Sequence, residues 1–140
     1  MTPEDLIARL QLKPHPEGGW YRQTWAEDSA SGRPAGTCIY FLLKDGETSH
    51  WHKVDATEIW HFYAGAPLVL SLAETKSGPA RDILLGPDLD AGQIPQIVVA
   101  KDAWQSARAE AGWTLVGCTV SPGFQFEGFT LAPPGFDIPR

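Results

Sequence analysis

Short apolar runs alternate with turn-forming residues along almost the whole chain. The runs are WYRQTW (20–25), TCIYFLL (37–43), SHWHKV (49–54), EIWHFY (58–63), LVLSLA (68–73), RDILLG (81–86), QIVVA (96–100), AWQSARA (103–109), WTLVGCTV (113–120) and FEGFTLA (126–132). Between them lie KDGE (44–47), AGAP (64–67), TKSGPA (75–80) and PDLDAG (87–92), rich in the residues that reverse a backbone. Many short β-rich segments at this spacing predict a sandwich or barrel and not alternating βαβ units. Only the first residues break the pattern. Thr2 to Leu10 reads as one short helix, with Thr2 as cap, Pro3 at the first helical position, Asp5 as a second capping side chain and Leu6, Ile7 and Leu10 as an apolar stripe. PHPEGG (14–19) then stops any helix.

Composition narrows the class. A chain of 140 residues is long enough for one core without disulfide or metal staples, so a single domain over 1–140 is expected. The 14 glycines and 12 prolines are spread along the chain, which argues for many turns and against a linker. With 11 basic against 17 acidic residues, the net charge is −6 and no basic stripe is visible, which argues against a nucleic-acid partner. Cys38 and Cys118 lie inside apolar runs with no CxxC spacing, as free buried cysteines do. The N-terminus lacks the features of a signal peptide, and no apolar run reaches membrane-spanning length. No membrane partner and a cytoplasmic location are therefore expected.

The chemistry concentrates in SHWHKVDATEIWH (49–61), which holds three of the four histidines. On a regular strand His50 and His52 would project to one side, roughly 6–7 Å apart. Two imidazoles so placed can share a metal, and Glu58 on the next strand can add an oxygen ligand. Strict alternation from Glu58 puts Trp60 on its face and His61 on the other, whereas a bulge would return His61 to the inside. His61 thus stands open between a pocket base and an interface histidine.

Gly46, His50, His52, Glu58 and Gly65 resemble the first motif of the cupin superfamily, glycine–HxH–glutamate–x6–glycine. The Glu58–Gly65 spacing matches, while the interval from His52 to Glu58 is longer than usual and Gly46 lies nearer His50. The second cupin motif, PxGxxH, would fall on residues 100–105, where its proline, glycine and histidine are all replaced and Gln105 takes the place of the fourth ligand. PHPEGGWYRQTW, AWQSAR and GWTLVGCTVSPGFQFEGFTLA extend the likeness over nearly the full length, to a poorly characterised cupin branch.

The resemblance implies an all-β fold, a cupin jelly-roll β-barrel with a short N-terminal helix; six tryptophans and six phenylalanines suggest a buried association surface, and a homodimer is expected. It implies a divalent transition metal (zinc, nickel, iron or manganese) held by His50, His52, Glu58 and Gln105. The function expected first is a small-molecule enzyme of isomerase or epimerase type, with His61 or Glu17 handling protons. A non-catalytic sensor of a small ligand and a metal-free acid–base enzyme are the alternatives. His15 and Glu17 belong to a glycine-rich loop that is either a binding loop or a simple turn. Arg22 can fork onto a substrate carboxylate or phosphate, or stack on a neighbouring tryptophan. Trp60 and Trp104, next to expected ligands, are candidates for a pocket wall.

Overall fold

In a computed structural model that describes residues 1–140, the N-terminal helix α1 covers Pro3–Leu10, with Thr2 and Asp5 forming a reciprocal capping box. Eleven strands follow. They are β1 (Lys13–Pro14), β2 (Trp20–Glu27), β3 (Gly36–Leu43), β4 (Thr48–Val54), β5 (Thr57–Gly65), β6 (Leu68–Ala73), β7 (Arg81–Leu85), β8 (Gln96–Val99), β9 (Trp104–Arg108), β10 (Thr114–Ser121) and β11 (Phe129–Leu131). FEGFTLA is a strand only in its second half, because Phe126–Gly128 forms a 3₁₀ turn first.

The strands form two antiparallel sheets, ordered β1-β2-β3-β10-β5-β8 and β11-β4-β9-β6-β7. This is a jelly-roll-like arrangement, but the sheets do not close into the expected barrel. The edge strands β1, β8 and β11 are only 2, 4 and 3 residues long, too short to continue the ladder across. A single bridge, Leu85 to Ile94, is the one isolated pairing outside the named strands.

Period-two alternation sorts the side chains. Phe41, Leu43, Trp60, Val116 and Cys118 of one sheet meet Leu68, Leu70, Leu72, Leu85 and Ala107 of the other in the main core. Leu42 and Leu115 point the opposite way and are covered by Leu6 of the helix and by Leu12. On the outer face of the five-stranded sheet, Trp51 and Trp104 are capped by the C-terminal arm through Phe136 and Ile138. Apolar side chains therefore fill one end of the sandwich. The other end holds a cavity and the buried polar groups.

Candidate active site

A cavity of about 340 Å³ lies between the sheets, with His15, Glu17, His52 and Glu58 among its lining residues and Tyr21, Phe41 and Trp60 among its walls. Two of the polar groups come from strands β4 and β5, and the other two from the PHPEGG loop.

That loop is fastened to β4. Gly18 and Gly19 take positive φ angles of 106° and 78°, and a Cβ at Gly18 would strike the Thr48 carbonyl. The His50 amide donates to the Glu17 carbonyl at 2.7 Å, and the Ser49 hydroxyl donates to Glu17 Oε2. Where the loop grips it, β4 is bulged: Ser49 pairs with Ala107 and His52 with Gln105, so that His50 and Trp51 lie opposite the single residue Ser106. Ser49 and His52 consequently share the inner face. His50 turns outward, its Nε2 2.9 Å from the Pro133 carbonyl, and lines a separate surface cavity with Arg108 and Arg140. The expectation that His50 and His52 share a side fails because of this bulge.

The hydrogen bonds define tautomers. His52 Nδ1 lies 2.8 Å from the His50 carbonyl, an acceptor only, so Nδ1 carries the proton and Nε2 keeps its lone pair. His15 Nδ1 accepts from the Glu17 amide at 3.1 Å, so it carries no proton and its one lone pair is taken by that amide. Glu17 Oε1 sits 3.4 Å from His15 Nδ1 and 3.5 Å from His52 Nε2. A carboxyl oxygen facing two nitrogens that carry no hydrogen is placed for a proton of its own, which the free lone pair of His52 Nε2 can accept. The electrostatics agree. Burial raises the Glu17 carboxyl from an ordinary 4.5 to about 8, only partly offset by the Ser49 hydroxyl. Burial lowers His15 to about 4, assisted by the nearby His52, and it also lowers His52. These contacts are therefore uncharged near neutral pH and are not ion pairs.

Glu58 stands on β5, which pairs with β10. Burial raises it to about 7, with His52 opposing and Glu17 reinforcing the shift. Gln105 holds it from behind. The Trp60 indole N–H, a donor only, reaches Gln105 Oε1 at 2.8 Å, which leaves the amide nitrogen to donate to Glu58 Oε1 at 2.9 Å. The Cys118 thiol lies against Glu58, and burial pushes it well above its usual range.

The remaining expected residues separate. Trp60 lines the cavity; Arg22 borders it, but its guanidinium lies over the Tyr40 ring, on the face of β2 opposite Tyr21. His61 is on the other face of its sheet, Nε2 3.1 Å from Thr119 Oγ1 and Nδ1 3.3 Å from the Gln96 amide. The register shift between β5 and β10 falls beyond it, after Phe62, and so does not return it to the inside. Trp104 packs on Phe136 under the C-terminal arm, away from the cavity. Sequence reasoning missed Lys13, Tyr21, Cys118, Phe124 and Phe126 as cavity residues, and Ser49 as the hydroxyl that donates to Glu17. Alternation along β2 and β10 carried a signal for Tyr21 and Cys118, whereas the two phenylalanines lie outside any strand.

The model of the family described as "Cupin superfamily (DUF985)" matches residues 4–132. The chain belongs to this cupin family. Protein SO0799 from Shewanella oneidensis is 39% identical, with a TM-score of 0.87 over 94% of this chain and 85% of that one. A hypothetical protein from Leishmania major is 32% identical, with a TM-score of 0.85 over 97% and 90%. Oxalate decarboxylase from Bacillus subtilis, at 13% identity and a TM-score of 0.65 over 84% of this chain and 29% of that one, shares the fold. No curated protein matches the sequence.

Cupins raise the question of a metal, and the donors of this one can be tested against it. Of the four expected ligands, His52 and Glu58 face the cavity, His50 faces outward and Gln105 has both ends of its amide committed. No three His, Cys, Asp or Glu side chains are grouped as metal ligands. The four-ligand shell implied by the motif does not fit these residues.

Proposed function

We propose that this cupin is an acid–base enzyme of isomerase or epimerase type, acting on a small molecule with a C–H bond next to a carbonyl. One observation carries this reading: Glu17 Oε1 lies between the unprotonated nitrogens of His15 and His52, in a cavity where burial keeps the carboxyl protonated and the imidazoles neutral. Acid and base are both present in their working forms near neutral pH, the condition for general acid–base catalysis. His52 Nε2 takes the proton from carbon, the electron pair moves onto the carbonyl oxygen, and the Glu17 proton is delivered to that oxygen. Reversal with a proton returned to the other face, or to the neighbouring carbon, gives the epimer or isomer. Glu58, clamped by Gln105, is a second carboxyl for the return step, and Trp60 and Tyr21 wall the substrate.

A homodimer belongs to the same proposal. Trp25, Tyr63 and Val98 on the six-stranded sheet are 47%, 48% and 61% exposed, apolar surface of the kind that association covers. Sedimentation at micromolar concentration tests that part.

The enzymatic part is tested by incubating the protein with a panel of 2-hydroxy ketones, 2-keto acids and ketoses in D₂O, and following deuterium at the carbon by NMR. Deuterium uptake that persists in a chelator and is lost in Glu17→Gln is expected. Ligand binding with no uptake would instead support a sensor, and uptake abolished by chelation and restored by one added divalent ion would support a metal enzyme.

A further inference from the structure

Five aromatic rings converge on His15. Tyr21, Phe41, Phe124, Phe126 and Phe129 all have ring centroids 4.5–6.5 Å from that of the imidazole. Phe124, Phe126 and Phe129, which follow β10 in sequence, also pack on one another at 5.0–6.0 Å. A cluster of this kind inside a core is sealed from water. Here it is not. Phe126 is 52% exposed and yet lines the cavity together with Tyr21, Phe41 and Phe124, so the cavity opens to solvent beside an aromatic ring.

The cavity therefore has two zones. At one, the side chains of Glu17, His52 and Glu58 are buried and carry the acids and the base. At the other, Phe124 and Phe126 lie nearer solvent and offer no hydrogen-bonding group. Such a wall rewards a flat apolar group, which can meet the rings edge to face or in offset stacks. A hydroxylated chain pressed against it would give up water without gaining a partner. A cationic ligand fits no better. Lys13 lines the same cavity, with its Nζ already 5.5 Å over the Tyr21 ring, and the Glu17 carboxyl, raised by burial, supplies no counter-charge near neutral pH.

We infer that the substrate carries an aryl or similarly flat, unhydroxylated group that packs among Tyr21, Phe124 and Phe126, with its carbonyl end directed towards Glu17 and His52. An aryl group on the carbon that loses its proton also spreads the electron pair left there, which suits deprotonation by an imidazole. This names the substrate class for the acid–base proposal and rests on it for the chemistry at the buried end. The aryl site stands on its own rings.

Phenylacetone, dihydroxyacetone and tetramethylammonium, titrated separately by calorimetry, test the inference. Phenylacetone is expected to bind at one site, at least tenfold more tightly than either of the others. Its phenyl protons should show intermolecular NOEs to the Phe126 and Tyr21 rings in the wild-type protein, a readout that needs no variant to fold. Phe126→Ala should weaken phenylacetone at least threefold, with Phe126→Leu intermediate. Leu89→Ala, at another exposed apolar side chain but outside the cavity, should leave its affinity unchanged. Phenylacetone affinity no greater than that of dihydroxyacetone overturns the inference, as do NOEs confined to rings outside the cavity. Tighter binding of tetramethylammonium also overturns it, by making the rings a cation cage. Phenylacetone that binds at these rings without deuterium uptake in any substrate supports the aryl site and counts against the acid–base reading alone. Uptake into dihydroxyacetone with no binding of phenylacetone counts against the aryl site alone.

Discussion

Two polar clusters in this small fold use similar residue types to opposite ends. On the outer face of the five-stranded sheet, Asp82 meets Arg108 at 3.3 Å and Arg140 at 3.2 Å, with Ser71 bonded to Asp82 as well. These side chains are 30–40% exposed, so each charge keeps water and a partner of opposite sign. Asp82 is held below the usual carboxylate range: partial burial opposes this, but hydrogen bonds from Ser71 and Arg108 outweigh it. Between the sheets, Glu17 and Glu58 have no cation beside them, and burial drives them the other way. The outer cluster is charged and contributes little, as solvent-exposed pairs do. The inner one is a store of exchangeable protons that the fold retains at a cost in stability.

The largest expected effect lies in chemistry. Glu17→Gln keeps a side chain of the same shape but removes the acidic proton, and should lower deuterium uptake about 10²–10⁴-fold, the usual contribution of a positioned acid or base. The matching change outside, Asp82→Asn, should leave uptake unaltered. Equal loss in both would erase the distinction between the clusters.

Stability against pH comes next. A carboxyl whose folded pKa is raised binds more protons folded than unfolded, so its stabilising contribution is full below about 4.5 and is lost as pH rises through about 7 for Glu58 and about 8 for Glu17. His15, lowered to about 4, acts oppositely: its contribution is present above its unfolded 6.5 and is lost as pH falls towards 4. The two trends offset between about 4.5 and 6.5 and leave the carboxyl loss uncompensated above that. Chemical denaturation should therefore show stability falling by a few kcal/mol between about pH 6.5 and 8.5, because a tenfold change in proton affinity is worth about 1.4 kcal/mol. In Glu17→Gln most of that slope should vanish. A flat wild-type profile over this range would contradict burial of uncharged acids.

A smaller effect is expected behind Glu58. Gln105→Leu leaves the Trp60 indole and one Glu58 oxygen unpaired, which should cost about 1–3 kcal/mol, read as a lowered denaturation midpoint. Gln105→His, in contrast, puts an imidazole at the position of the missing cupin ligand. Because His50 still faces outward, it should add little divalent-metal affinity; a large gain would show that the four-ligand shell can assemble after all. Smallest of all, Arg108→Ala in the outer network should cost no more than about 1 kcal/mol and should shrink further in salt.

Much of the fold is legible in the sequence. The capping box of Thr2 and Asp5, the segment pattern and the positions of His52 and Glu58 follow from local rules that tertiary structure does not override. Period-two alternation misplaces His50 because it carries no sign of a bulge, and this bulge sits where the carbonyl of Glu17, far upstream, takes the His50 amide. Gln105 falls at the expected register, opposite His52, but its amide is consumed by Trp60 and Glu58, a contact that no spacing reveals. Glu17 is a candidate proton handler in a loop that reads equally well as a plain turn. What distinguishes it is its burial beneath β4, and burial of a loop side chain is a property of the whole fold.

The acid–base reading of the cavity requires that Glu17 hold its proton at neutral pH between two neutral imidazoles. Labelling glutamate with ¹³C at Cδ and assigning Glu17 through Glu17→Gln lets its carboxyl be titrated directly in the intact protein. A midpoint near 8, well above the ordinary 4.5, is expected. A Glu17 carboxyl that ionises near 4.5 would contradict it.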